Sequence, residues 1–522
     1  MRLSHSLFKT ERQVPSDAEL KSHQLLIRAG FVRQIAAGIY SLTPLAWRTI
    51  SNISQIAREE MSKVGGEEVL LPVTQPASLW KQSGRYEDID SSLVRWTDRN
   101  EHKMVLAMTH EEAVTDLVRH FVSSYRQLPL ILYQIQTKFR DEARPRGGLV
   151  RLREFLMKDA YSFHADTKSL DVFYDKMIEA YEAFYARCGV SVLRVEADTG
   201  MMGGGASHEF MVLSDGGEDT LVTCRGCGYA ANNEVAVSKK PSLGSKEMAS
   251  WTLYKGSDGR RIVAGAPESS QISAVKLAHT LGEREIQELD VHELEQLGLS
   301  SSGWLDGEKI RHTELTVILD DSFSSHSMSQ TGVYQFADII TVEEGDPCLH
   351  CGESLSTVRS IEVGNIFKLG TRYSSPMGAT FTQKDGSVSP LTMASYGIGI
   401  TRMLACIVED NHDEDGIVFP KSIAPFTYHL VRIGQDEEVM RTAEQIYNEL
   451  GTNQVLYDDR HETPGVKFAD ADLVGLPYRL TVSTTSLKRG GIELKDRKTG
   501  HVTVVPIQNL QQTLSTALSD RH

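Results

Sequence analysis

Long apolar runs are missing from this chain. No stretch approaches ~20 consecutive apolar residues, which argues against a membrane-spanning helix. The opening segment, MRLSHSLFKTERQVPSDAEL, lacks the apolar centre of a secretory signal. Cationic excess is missing too: 55 Lys and Arg stand against 70 Asp and Glu, a formal net charge of -15. That balance excludes a protein that coats nucleic acid nonspecifically, although a local basic patch can still hold a few phosphates. Cysteine is scarce, and four of the six fall in two CxxC pairs, Cys224/Cys227 and Cys348/Cys351. Without an export signal that pattern points to metal rather than disulfides. No internal repeat is visible. The expectation is a soluble, cytoplasmic protein that engages neither membrane nor DNA.

What is present is length and an ordinary globular balance. With 522 residues, 40% hydrophobic and 24% charged, the chain exceeds what one core supports, and three or four domains are expected. Residues 44 to 64 predict a helix, with Trp47, Ile50, Ile53, Ala57, Met61 and Val64 forming one apolar stripe. Gly65-Gly66 ends it, and a short strand over residues 68–71 runs into Pro72. From Tyr133 to Arg140, Tyr133, Ile135, Thr137 and Phe139 alternate with Gln134, Gln136, Lys138 and Arg140, the period of a strand. After a loop with Pro145 and Gly147-Gly148, an extended segment from Val150 to about Phe163 suggests an antiparallel hairpin with a long tip. Residues 239–250 are linker-like. The last hundred residues alternate strand and helix (HLVRI, a helix from Glu437 to Leu450, VLYD, a helix near 467–473, YRLTVS, HVTVVP), predicting a small α/β domain with a mixed sheet.

The hairpin carries chemistry. Alternation puts Arg140 and Glu142 on one face, and Arg151, Arg153 and Phe155 on one face of the return strand. Guanidinium forks grip phosphate oxygens, and a flat ring stacks on a purine, as an ATP site without a Walker loop requires. Two arginines alone would better suit a solvated hairpin with surface ion pairs. A third segment shifts the balance. In Ser395-Tyr396-Gly397-Ile398-Gly399-Ile400-Thr401-Arg402 small residues alternate with apolar ones, leaving room for a nucleotide against the strand, and an arginine at a helix start can reach a phosphate.

Together these segments resemble the three signature motifs of class II aminoacyl-tRNA synthetases. The helix and strand ending at Pro72 resemble the first, FRDE (139–142) with RLREF (151–155) the second, and SYGIGITR (395–402) the third, with Thr401 where many such enzymes carry glutamate. THEE (109–112), GGGASHEF (203–210), GNIFKLGTRYS (364–374) and PGVKFADADLVGLP (464–477) further resemble the bacterial prolyl branch over nearly the whole chain. A threonyl or seryl relative shares the motifs, but the THEE segment and the lack of a matching Cys/His/His zinc pattern argue against threonine. A non-catalytic paralogue that binds tRNA or senses amino acids would be expected to have lost the phosphate arginines or the C-terminal domain.

The resemblance implies a proline–tRNA ligase that makes prolyl-adenylate from L-proline and ATP and passes the prolyl group to tRNA(Pro). It implies an α+β and α/β multidomain fold: a catalytic core on an antiparallel sheet flanked by helices, an insertion between the second and third motifs, and an α/β anticodon-binding domain. The expected bounds are 1–223 and 359–422 for the core, 224–358 for the insertion and 423–522 for the last domain. Arg140 and Arg402 would be catalytic. Arg140 would hold the α-phosphate, Arg151 and Arg402 the γ-phosphate, and Phe155 the adenine, with Glu142 on its amino group or orienting Arg140. Thr109 and Glu111 would hold proline's nitrogen, with Arg140, His208, Ser395 and Gly397 completing the proline pocket. Mg2+ is expected with ATP, and structural Zn2+ on Cys224, Cys227, Cys348 and Cys351. Cys188 and Cys406 read as buried apolar residues. The insertion looks shorter than a full editing module, so a structural remnant is favoured over hydrolysis of alanyl-tRNA(Pro). Asp459, Glu493 and Lys495 are candidate anticodon contacts, and the first motif implies a homodimer.

Overall fold

Helix and strand here follow from where apolar residues can be buried together. The structure, a computed structural model, describes residues 1–14, 18–240, 248–283, 286–303, 315–323, 334–510 and 512–514. Most of the linker-like segment, residues 241–247, lies outside them. The chain divides into two compact units, Met1–Val192 with Tyr373–His522, and Leu193–Arg372. The expected boundaries at 224 and 358 fall inside strands of the second unit, Asp219–Cys224 and Leu355–Gly370.

In the first unit the helix Pro44–Lys63 starts with proline at its first turn, where the missing N–H costs no bond. Ile50, Ile53, Ala57 and Met61 are buried as the stripe predicts, but Trp47 is 53% exposed. The strand expected at 68–71 is only Glu67–Glu68, because Leu71 N–H donates to the Gln134 side chain at 3.0 Å instead of to a neighbouring strand. The hairpin is present as Leu130–Phe139 against Glu154–His164, with Thr392–Gly399 antiparallel on the far side of the return strand. Helices Thr167–Cys188 and Ile400–Asp410 pack on this sheet.

The C-terminal residues form the predicted mixed sheet. Tyr428–Ile433 is parallel to both Val455–Asp458 and Tyr478–Ser483, and Ile492–Asp496 and Val502–Val505 continue it antiparallel. The helix Glu437–Leu450 occurs as read, with Val439, Ala443 and Ile446 buried against Leu430, Leu480 and Val482. Gly475 closes the helix Pro464–Val474 in a left-handed conformation, φ +71. A Cβ there would stand 1.8 Å from the Ile417 carbonyl oxygen.

The second unit has two sheets. In one, Leu355–Gly370 pairs with Asp219–Cys224 along its first part and with Ala206–Leu213 along the rest. The other has the order Gln287–Glu288, Ala249–Lys255, Arg261–Pro267, Leu315–Asp320, Gln335–Ala337. Its alternate residues feed two cores: Trp251, Leu253, Val263 and Leu319 on one face, Tyr254, Ile262, Ala264 and Ile318 on the other. A sheet buried on both faces belongs to a folded module with its own core. No described helix is long and apolar enough to cross a membrane.

Gly475→Ala is expected to lower stability by about 1–3 kcal/mol, since a side chain at positive φ is strained and this one also meets a carbonyl. Thermal unfolding checks it, and an unchanged melting temperature would contradict the tight packing of residue 417 on this helix end.

Candidate active site

The mouth of the hairpin gathers the motif side chains. The first strand stops at Phe139, whose N–H donates to Ala107 O at 3.1 Å. Arg140 Nε then donates to Met108 O at 3.4 Å, which sets the hairpin beside the segment carrying Thr109. Arg140 and Glu142 therefore lie beyond the strand, not on one face of it. A tight turn, Glu142 N–H to Arg140 O at 2.7 Å, replaces the expected alternation. Arg151 and Arg153 likewise precede the return strand. The groups still converge. Arg151 Nε donates to Glu142 Oε2 at 2.8 Å, Arg153 Nε donates to Glu142 O at 3.1 Å, and Arg140 lies over the Phe155 ring at 5.4 Å. A pocket of about 190 Å³ adjoins them, lined in part by Tyr40, Leu152, Phe155 and Thr401.

The third motif joins the same sheet. Strand register sets Ser395 opposite Tyr161, Gly397 opposite Asp159 and Gly399 opposite Met157. Directly paired residues share a face, so two glycines uncover the face bearing Asp159 and, one strand further, Gln134 and Lys138. Ser395 Oγ is buried with no hydrogen-bonding partner. Leu156 N–H donates to Thr401 Oγ1 at 2.9 Å, and Arg402 Nε donates to Val150 O at 2.8 Å, which brings this arginine to the segment carrying Arg151.

Beneath the site lies a buried polar network. Thr109 Oγ1 donates to Glu111 Oε2 at 2.5 Å. His110 N–H donates to the Tyr161 hydroxyl at 3.2 Å, and that hydroxyl donates to Asp159 Oδ2 at 2.7 Å. Asp159 also accepts from Lys138 Nζ at 2.6 Å and Gln134 Nε2 at 2.9 Å. Burial alone would raise the Asp159 pKa, but Lys138, His110 and Gln134 outweigh it and hold the carboxyl below its usual range. Burial, with Lys138 nearby, lowers His110 to about 4, so its ring is neutral and Nε2 donates to Pro72 O at 3.1 Å. On the opposite face Lys158, brought down to about 7 by burial, donates to Tyr181 Oη at 2.7 Å. Alternation flagged Lys138 and Gln134 only as polar strand positions. Their burial, Asp159, and the contacts of Glu112 with Arg85 (3.2 Å) went unread.

Known domain families and relatives match the chain along its length. The tRNA synthetase class II core domain (G, H, P, S and T) matches residues 93–411, and an anticodon binding domain matches residues 422–516. The proline–tRNA ligase of Dehalococcoides mccartyi is 41% identical over 569 residues, covering 100% of both chains. That of Desulfotalea psychrophila is 41% identical over 549 residues, covering 96% of both. The chain belongs to the proline–tRNA ligase family. Its fold is also similar to prolyl-tRNA synthetase from Cryptosporidium parvum, solved with halofuginone and AMPPNP, at TM-score 0.63 and 13% identity over 97% of this chain and 80% of that one.

Other candidate residues of this ligase-family chain lie elsewhere. In the second unit, His208 is half-buried on the strand Ala206–Leu213, opposite Ile366 and Glu196. The preceding Gly204 has φ +116, and a Cβ there would meet Lys368 O at 2.2 Å, so only glycine fits. One strand position beyond His208, burial beside Glu362 pushes Glu209 up to about 8. The four cysteine sulfurs all lie within 4.8 Å of one another, with Cys224–Cys351 at 3.4 Å and Cys227–Cys348 at 3.7 Å. Cys188 and Cys406 are buried as expected. In the C-terminal domain Asp459 is engaged by Ser4 N and Oγ at 3.0 and 2.7 Å. Lys495 is engaged by Asp472 at 3.0 Å, and Glu493 lies 3.7 Å from Arg489.

Lys138→Met leaves Asp159 buried without its cation and is expected to cost about 3 kcal/mol or more. A carboxyl with a lowered folded pKa contributes stability above its unfolded pKa, and loses it as pH falls through the folded value. Urea denaturation at pH 7 should show the loss, and it should shrink in acid. A pH-independent or absent difference would contradict the ion pair.

Proposed function

We propose that this chain is a proline–tRNA ligase working by positioning and charge rather than by a protein nucleophile. The observation that carries the reading is the convergence of three motif arginines on one hairpin mouth, beside a buried carboxylate. Proline's carboxylate attacks the α-phosphate of ATP, pyrophosphate leaves, and the terminal ribose hydroxyl of tRNA(Pro) then takes the prolyl group from AMP. Both steps need aligned reactants and stabilised phosphoryl charge. Arg140 holds the α-phosphate, and Arg151 and Arg402 the γ-phosphate. Phe155, already under the Arg140 guanidinium, stacks on adenine, while Glu142 orients Arg151 and the base. Thr109 and Glu111 accept proline's nitrogen. Ser395, with its unpartnered hydroxyl, and Gly397 complete the floor.

Among the described residues the only cluster of cysteine, histidine or carboxylate donors close enough for a metal is the four-cysteine one. Mg2+ would come with the nucleotide's phosphates and balance their charge. The cysteine cluster fits zinc: a tetrahedron with Zn–S near 2.3 Å spaces its sulfurs about 3.8 Å apart, close to the distances found. The metal would staple Asp219–Cys224 to the turn before Leu355–Gly370. The C-terminal domain reads the tRNA anticodon. Because Asp459 and Lys495 already have partners within the chain, base contacts fall more readily to neighbouring exposed groups than to these two. The inserted unit serves structure rather than editing. The chain acts as a homodimer, a reading favoured by the exposure of Leu70 just after the first-motif helix.

Amino-acid-dependent ATP–pyrophosphate exchange tests the activity. Exchange is expected with proline and not with threonine or serine, and Arg140→Ala should lower it roughly 100-fold or more, the scale of a lost transition-state donor. No exchange with any amino acid, from folded protein with Mg2+, would leave the non-catalytic paralogue. Metal analysis is expected to find one zinc per chain, lost in Cys227→Ser/Cys351→Ser with a lower melting temperature. Metal-free wild-type protein of unchanged melting temperature would contradict the zinc reading.

A further inference from the structure

Two carboxylates open the helix Glu111–Phe121, and both are buried, as is the guanidinium of Arg85. Arg85 starts the short helix Arg85–Asp88. Its Nη1 lies 3.4 Å from Glu111 Oε2 and 3.2 Å from each oxygen of Glu112. The rings of Trp80 and Tyr373 flank the guanidinium at 5.1 and 5.5 Å, which fixes its plane. Ser83 Oγ donates to Glu112 Oε1 at 2.8 Å, anchoring that carboxylate away from Glu111.

One guanidinium serves two buried carboxylates, so the trio carries one uncompensated negative charge when both are ionised. A buried carboxylate in that position binds either a proton or a cation. Glu111 is faced by Arg85 from its helix, by Thr109 and Glu112 on its own segment, and by Lys138 and Tyr161 from the two hairpin strands. Lys138 is already paired with Asp159 at 2.6 Å. Burial raises the Glu111 pKa, and Arg85 is the chief opposing influence.

We propose that Arg85 is a positioning residue of the amino-acid site. It divides its charge between Glu111 and Glu112, so that Glu111 stays aimed yet one charge short, and the missing cation is the substrate's ammonium. This rests on the reading that Glu111 receives proline's nitrogen. Arg85 itself does not touch the substrate. Below the pKa of Glu111 the deficit is met by a proton, which proline must displace.

The test is ATP–pyrophosphate exchange with Arg85→Gln, Arg85→Lys and Glu112→Gln across pH 6–8.5. In Arg85→Gln the KM for proline is expected to rise roughly tenfold or more, the effect of about one unit of carboxyl pKa on its ionised fraction. The KM for ATP should stay nearly constant. Because losing the cation raises the Glu111 pKa, the rise should be largest at low pH and shrink as pH increases. Arg85→Lys restores the charge without the fork and should recover part of the effect. If Arg85→Gln does not fold, Glu112→Gln still decides: removing the rival carboxylate should shift the pH profile of the proline KM toward lower pH. Wild-type exchange with variant profiles superimposable on it, or with the KM for ATP rising as much as that for proline, overturns the proposal alone. No proline-dependent exchange in the wild type overturns the function, and this inference with it.

Discussion

Charge buried under an antiparallel hairpin is the constraint on which the rest of the active site depends. Lys138, Asp159, Glu111, Glu112 and Arg85 are all nearly inaccessible to water, and each ion so placed costs several kcal/mol unless it is paired and hydrogen-bonded. The strand register makes the pairing possible. Gln134 stands opposite Asp159 and Lys138 opposite Phe155, so donors from one strand reach the acceptor on the next. The glycines of the third motif keep the face above them open. Remove the register and the same residues would be isolated buried charges, which a fold does not tolerate. The site's rigidity is thus the fold's own requirement, and substrate atoms can be held where the network already points.

The split between the two faces of that sheet explains how one hairpin serves both packing and chemistry. Tyr396 and Ile398 are buried on one side, where the helices Thr167–Cys188 and Ile400–Asp410 pack. On the other side, small and polar residues leave space. The motif arginines lie at the hairpin mouth, beyond the regular strands, where side chains can converge from Glu142, Arg151 and the start of the last-motif helix. The second unit is built on a separate principle: one of its two sheets is apolar on both faces, and four thiols gather between Asp219–Cys224 and the turn before Leu355–Gly370.

Much of this was legible in the residues. The helices Pro44–Lys63 and Glu437–Leu450 follow from apolar spacing, the hairpin from alternation, and the family from three motifs in order. What was not legible has physical causes. Alternation shows which residues are polar but not that their face is buried, so Lys138 and Gln134 looked like solvent positions. Arg85 and Glu112 are 27 positions apart, and only the fold brings them together. The turn at Arg140–Glu142 broke an alternation that the strand did not extend to cover. The strand Ile492–Asp496 went unread because its glutamate, lysine and aspartate leave only Ile492 and Leu494 as an apolar signal. Asp459, picked out from the same domain, faces the N-terminal segment through Ser4, a contact between residues 455 positions apart that no local pattern contains.

On the function proposed above, a buried carboxylate, one counter-charge short when ionised, receives the nitrogen of proline. Charging of tRNA(Pro) with radiolabelled proline by Glu111→Gln protein, beside the wild type, tests it most directly. The wild type is expected to form prolyl-tRNA, and the variant, equally well folded, to lose charging at subsaturating proline because the amide offers no charge to the ammonium. Equal charging by both proteins would contradict it.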